Sequence, residues 1–149
     1  MKKFVLFIVL GFILTGCGSN KLKTMSCSKV QSYSDVSFDL SYNIDYKGKY
    51  VVNVSSTEKI ISDDIEYLEE YRGQIEKIYS PYSDLDYYDY SVSIDGNTLT
   101  SESNIDYSRV DTNRMILIDD ANSQFIQDGK VLVDTIKSYY EDLGISCNK

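Results

Sequence analysis

From Val36 to Tyr46 the chain alternates without a break, with Val36, Phe38, Leu40, Tyr42, Ile44 and Tyr46 on one parity and Ser37, Asp39, Ser41, Asn43 and Asp45 on the other. A period of two puts the sets on opposite faces of an extended backbone, so the segment predicts a strand with one wet face. Lys47-Gly48-Lys49 supplies a turn, and Tyr50 to Thr57, with Val52 and Val54 in phase, predicts the returning strand of a hairpin. A sheet wet on one side is typically antiparallel and needs a cover on the other.

The pattern then changes period. Asp63 and Glu66 form an acceptor-x-x-Glu capping pair, after which Ile61, Ile65, Leu68, Arg72, Ile75 and Tyr79 recur at helical spacing until Pro81. Arg72 interrupts the apolar stripe and Gly73 costs about 1 kcal/mol relative to Ala, so the middle of this helix is its weakest part. After a loop from Ser80 to Asp86, Tyr88, Tyr90, Val92 and Ile94 alternate with Asp89, Ser91, Ser93 and Asp95. Asp95-Gly96-Asn97 is a strong hairpin turn leading to a fourth strand over Leu99 to Tyr107. Ser101 and Ser103 occupy its inward parity, which predicts an edge or a shallow face. Val110 to Gln127 stays open between a buried strand and a packed loop around Met115, Ile116, Leu117 and Ile118. From Asp128 onward, Leu132, Ile136, Tyr139 and Leu143 predict a last helix with Gly144 as its stop. The expected fold is α+β: about four antiparallel strands in hairpins with two helices on one face, in ββα-ββα order.

The N-terminus has a pattern of its own. Lys2 and Lys3 precede an apolar run of 11 residues, Phe4 to Leu14, followed by Thr15-Gly16-Cys17. A membrane span needs about 20 apolar residues, whereas a secretory signal needs about 7 to 15. Residues 1–16 therefore read as a signal peptide. Leu14-Thr15-Gly16-Cys17 resembles the lipobox of bacterial lipoproteins. That resemblance implies cleavage before Cys17, with Leu14, Thr15 and Gly16 recognised by the signal peptidase, and diacylglycerol on the Cys17 sulfur. The partner would then be membrane lipid and the location the extracytoplasmic face of the cell membrane, where two acyl chains give durable anchoring. The alternative is a conventional secreted protein with a coincidental Cys.

Setting Cys17 aside leaves an even pair, Cys27 and Cys147, near the two ends of the mature chain. An exported domain permits a disulfide, and a Cys27 to Cys147 bridge is expected, with two free thiols as the alternative. Residues 17–26 read as a short tether and 27–149 as a single α+β domain. Gly18 to Ser26, at about 3.3 Å per residue, reach at most roughly 30 Å, which keeps the domain beside the bilayer.

Composition narrows the chemistry. The 149 residues hold 15 Lys and Arg against 23 Asp and Glu, and the net charge of −8 argues against nucleic acid as a partner. Cleavage before Cys17 removes two lysines and no acid, taking the charge to −10. With no His, His-dependent triads and the commonest metal ligand are absent. Ser26-Cys27-Ser28-Lys29 matches a Ser-x-x-Lys nucleophile signature but falls in the expected tether. Asp84, Asp86 and Asp89, and Asp119-Asp120 with Asn122, are hard-ligand clusters without calcium-loop spacing, and solvated loop charge is the simpler account. No catalytic residue, metal or cofactor is assigned. Among 14 Tyr, Tyr82 and Tyr87 are the candidates for a binding surface, since alternation sends Tyr88 and Tyr90 inward.

The lipobox, the Cys soon after the tether, and a terminal helix running into Gly144-Ile145-Ser146-Cys147 together resemble the YehR-like lipoproteins of low-GC Gram-positive bacteria. That family implies an exported, anchored domain and no particular reaction. The expected role is a non-enzymatic binding or scaffolding domain whose partner is an envelope protein or wall component. The alternative is a carboxylate-based, calcium-assisted envelope hydrolase.

Overall fold

The computed structural model describes residues 21–148. The signal peptide, its recognition residues Leu14, Thr15 and Gly16, and Cys17 lie outside the described residues. Among the described residues, no helix is long and apolar enough to cross a membrane.

Among the described residues the fold is α+β, with six strands rather than about four in the main sheet and three α-helices rather than two. The strands are β1 (Leu22–Tyr33), β2 (Val36–Lys47), β3 (Tyr50–Ser62), β4 (Tyr88–Asp95), β5 (Thr98–Asp106) and the short β8 (Ser146–Asn148). They lie antiparallel in the order β4-β5-β3-β2-β1-β8. The helices are α1 (Ile65–Tyr79), α2 (Thr112–Ile118) and α3 (Val133–Asp142). A two-stranded ribbon of β6 (Ile126–Gln127) and β7 (Lys130–Val131) turns on Asp128 and Gly129, both at positive φ. Asp-Gly is the sequence such a turn favours, and its signal was legible there.

Strand β1 corrects the expected tether. Residues 22–26 pair with β2, Leu22 opposite Lys47 and Ser26 opposite Asn43, and Met25 and Cys27 are buried. The register also defines the covered face. Met25 and Ile44, Cys27 and Tyr42, Val54 and Ile105, and Ile60 and Leu99 are opposed pairs, and all are buried. The opposite face displays Ser, Thr, Asn and Asp. Its central row runs Ser26, Asn43, Ser55, Asn104 and Asp89, one residue from each of five strands.

Several boundaries differ from the sequence expectation. A bulge opposes Asp45 and Tyr46 to Asn53 and Val51, so Val51 rather than Val52 shares the buried face with Val54. Strand β3 runs on through Ile60 and Ile61, and the cap of α1 is Asp64, whose Oδ1 accepts from Tyr67 N–H at 3.0 Å. Asp63 instead accepts from Asn97 Nδ2 at 3.1 Å. Strand β5 is interior, between β4 and β3, because the Ser103 hydroxyl bonds the Ser56 hydroxyl at 2.7 Å and so tolerates burial. The open segment contains α2, capped by Asp111 Oδ1 accepting from Arg114 N–H at 3.0 Å. Helix α3 buries Val133 and Ile136, whereas Tyr139 and Leu143 are exposed.

Two apolar clusters fill the space between sheet and helices. The larger joins Met25, Ile44, Val54, Met115 and Ile136, and the smaller packs Leu68 and Ile75 of α1 on Ile60 and Leu99. Between them runs a polar band in which Tyr42 donates to Glu58 Oε1 at 2.6 Å and Ser56 meets Ser103. Lys29 Nζ donates to Leu143 O at 2.9 Å, satisfying a carbonyl at the end of α3. The chain is closed by the Cys27–Cys147 disulfide, formed between opposed residues of β1 and β8.

Candidate functional site

Among the described residues, strand β4 is one edge of the sheet and pairs only with β5. Just before it, the Tyr87 carbonyl accepts from Asp106 N–H at 3.0 Å, which makes Tyr87 and Asp106 a hydrogen-bonded pair. Antiparallel pairing alternates, so Asp89, Ser91, Ser93 and Asp95 direct their main-chain groups at β5. Those of Tyr88, Tyr90, Val92 and Ile94 point away from the sheet. The edge therefore offers a row of unpaired donors and acceptors.

Alongside this edge runs a groove of about 860 Å³, walled by Gly73, Glu76, Lys77 and Ser80 of the helical side and by Tyr88 to Val92 of β4. Gly73 opens it: a Cβ placed there would meet nothing within 4 Å. Glu76 is tied back along α1 by Arg72, whose Nε lies 3.8 Å from Glu76 Oε1.

Tyr87 immediately precedes β4. It is 45% exposed and holds φ at +68°, a backbone region costly for a bulky residue. The Arg109 guanidinium lies over its ring, 4.2 Å from the centroid. Asp106 fixes Arg109 there, accepting from its Nε at 2.6 Å while also accepting from Ser108 N–H at 3.0 Å and from the Ser108 hydroxyl. The Ser108 hydroxyl, and after it the Arg109 side chain, hold the Asp106 carboxyl below its ordinary range. The result is an exposed aromatic ring with a pinned cation. Arg109 and Asp106 were missed by sequence reasoning, although Asp-x-x-Arg at the end of a strand was available as a local pairing signal.

Tyr82 is not part of this surface. It is buried, stacked on Tyr88 with ring centroids 4.8 Å apart, and its hydroxyl accepts from Asn122 Nδ2 at 2.8 Å. Its apolar ring is worth more in the core, and Asn122 satisfies the one polar atom. Tyr79 and Tyr107 are pushed up to about 12 by burial, and burial also raises Tyr42, Tyr88 and Tyr140.

The other sequence candidates resolve into local structure. Ser26 bonds Asn43 Oδ1 on the open face, whereas Lys29 caps α3 on the covered face, so the Ser-x-x-Lys pair does not converge. Asp119 accepts from Ala121 N–H at 2.9 Å as the cap of a short 3-10 turn, and Asn122 Nδ2 donates to Met115 O at 3.0 Å. Asp84 contributes its carbonyl to Arg114 at 3.2 Å. Among the described residues, no group of three Asp, Glu, Cys or His side chains is placed to hold a metal ion. Acids that line shared grooves, Asp89 with Glu102, Glu76 with Asp89, Asp134 with Asp142 and Asp35 with Asp63, are all exposed.

The architecture is YehR-like. The NMR structure of the E. coli YehR protein matches with a TM-score of 0.58, over 85% of this chain and 92% of that one, at 18% identity. The NMR structure of a protein from Streptococcus pneumoniae TIGR4 matches with a TM-score of 0.52, over 99% of this chain and 97% of that one, at 14% identity. No protein-family model matches the chain, and no curated protein matches it in sequence. At these identities the likeness is one of fold.

Proposed function

We propose that the chain is a YehR-like lipoprotein, anchored at the extracytoplasmic face of the membrane through diacylglyceryl-Cys17, and that its domain works by binding an envelope protein or wall component rather than by catalysis. The lipobox supports the anchor, and the free edge of β4 beside its groove is the observation that carries the binding role. With β1 beginning at Leu22, only Gly18 to Lys21 separate the lipidated sulfur from the sheet, a reach of at most about 14 Å. Strand β4 lies four strand positions from β1, about 19 Å across the sheet. An anchor on one side thus leaves the opposite edge facing outward from its attachment point. The bridge between Cys27 and Cys147 suits the oxidising side of the membrane.

The test is made in intact cells. Fatty-acid labelling should mark the wild type and spare Cys17→Ser, and a photocrosslinking residue at Tyr87 should trap an envelope component. An unlabelled wild type would overturn the anchor. A substrate turnover abolished by one point substitution would overturn the non-enzymatic role.

A further inference from the structure

The geometry of the β4 edge points to a specific class of occupant: we infer that it accepts an extended polypeptide segment of a partner protein, alternating aliphatic and basic residues, as a further strand of the sheet. The inference deepens the binding role proposed above and rests on it.

Three observations carry it. First, the two edges of the sheet are treated differently. The other edge is made of the three-residue β8 and the stretches of β1 on either side of Ser26–Ser28 that β8 does not pair, and β1 carries Lys23 and Lys29, the residue type that guards an edge best. Strand β4 spans eight residues without Lys, Pro or Gly, and its only charges, Asp89 and Asp95, guard it against an acidic strand but not against a basic one. Second, its outward main-chain groups, from Tyr88, Tyr90, Val92 and Ile94, lie beside the groove that Gly73 lines, where a Cβ would meet nothing within 4 Å. This is the arrangement by which an added strand gains main-chain hydrogen bonds while alternate side chains enter a pocket.

Third, the two faces flanking the edge differ in chemistry, and the difference selects the ligand. On the covered face an added strand would set its side chains against Tyr90 and Val92 and beside Gly73, where aliphatic groups would pack on these surfaces inside a rim of Glu76, Lys77 and Ser80. On the open face its side chains would stand beside Asp89, Ser91, Ser93 and Asp95, with Glu102 one strand further in. No Lys or Arg occupies these positions on β4 or β5, so basic side chains are favoured there. A second copy of this chain fits less well. Pairing β4 with its copy about Val92 would place Asp89 opposite Asp95, in a chain of net charge −8.

The probe is a fluorescent, end-blocked peptide of about nine residues alternating Val and Lys, long enough to match β4. It is titrated against the full chain in zwitterionic micelles, with hydrogen exchange read at β4. Saturable binding that slows exchange at Tyr88, Tyr90, Val92 and Ile94 is expected. Replacing Lys by Glu in the peptide should weaken binding by at least about tenfold. Gly73→Leu, which fills the groove there and favours the helix, should do the same without lowering the melting temperature. Val92→Pro removes an outward N–H while sparing the ladder to β5, and should likewise abolish protection. Equal binding of the Glu peptide, no binding at millimolar peptide, undiminished binding by Gly73→Leu, or self-association through β4 would each overturn the inference. If Tyr87 crosslinks an envelope component while the peptide leaves β4 unprotected, the binding role stands and the strand-addition inference falls. If fatty acid never labels Cys17, the anchor falls whatever happens at β4.

Discussion

Tyr42 donates its hydroxyl proton to Glu58 Oε1 at 2.6 Å, joining β2 diagonally to β3 beneath the helices. The bond places a carboxylate in the polar band that divides the two apolar clusters. A hydrogen bond to a charged acceptor contributes about 1.5–3 kcal/mol, and losing the donor leaves that acceptor short of a partner. Tyr42→Phe retains the ring that stacks on Tyr140 at 4.5 Å, so its effect isolates the hydroxyl. Urea denaturation should show Tyr42→Phe destabilised by about 1.5–3 kcal/mol. Glu58→Gln, which preserves an acceptor, should cost less.

The same interior sets the response to alkali. Burial pushes Tyr79 and Tyr107 up to about 12 and moves Tyr42, Tyr88 and Tyr140 the same way, against about 10 in an unfolded chain. The fold thus favours the neutral phenols. Their contribution is complete below pH about 10 and is lost as pH rises from there through about 12. Ionisation of these buried phenols, seen as the late part of the tyrosinate absorbance, should therefore coincide with the change in far-ultraviolet circular dichroism above pH about 10. Full tyrosine ionisation near pH 10 with an unchanged circular dichroism spectrum would contradict this account.

Strand β2 was legible because its faces differ at every step from Val36 to Tyr46. Strand β1 was not: its covered face carries Met25 and Cys27 and then Lys29, whose ammonium is used on the end of α3. A basic residue in an inward position hides the period that burial would otherwise print. Strand β5 misled for the related reason that Ser101 and Ser103 look solvated until Ser56 is placed beside them. The α2 segment is a helix of seven residues, too short for a helical period to outweigh its run of adjacent apolar residues. Of the site, Tyr87 could be found by parity. Arg109, Asp106 and the opening at Gly73 depend on a strand pairing and a helix position that no local pattern specifies.

The disulfide should matter most to the ends of the domain. It joins residues separated by 120 positions, and the chain-entropy estimate for so long a loop is about 4–5 kcal/mol, an upper figure for practice. Cys147→Ser should lower the urea midpoint. Its local signature should be faster exchange in β8 and at the start of β1, since β8 has only three residues with which to hold its place. Reduction of the wild type should reproduce both effects, and a reduced protein with an unchanged midpoint would remove the bridge from the stability account.

Asp106 governs whether Arg109 stays over Tyr87, because its carboxylate binds both Ser108 and the Arg109 Nε. Asp106→Asn keeps one acceptor oxygen and removes the charge, and it should release the guanidinium from the ring. The resonance of Arg109 Nε–H in NMR spectra should then lose both its hydrogen-bond shift and its ring-current shift. Stability should fall by about 0.5–1.5 kcal/mol, as for one ordinary hydrogen bond at a partly solvated site. The wild type should show the same release under acid. The folded carboxyl titrates below its unfolded value, so its contribution is present above pH about 4 and is lost as pH falls through the lowered folded pKa. If the Arg109 resonance is unmoved by Asp106→Asn, the ring alone holds the cation and Asp106 serves only the turn at Ser108.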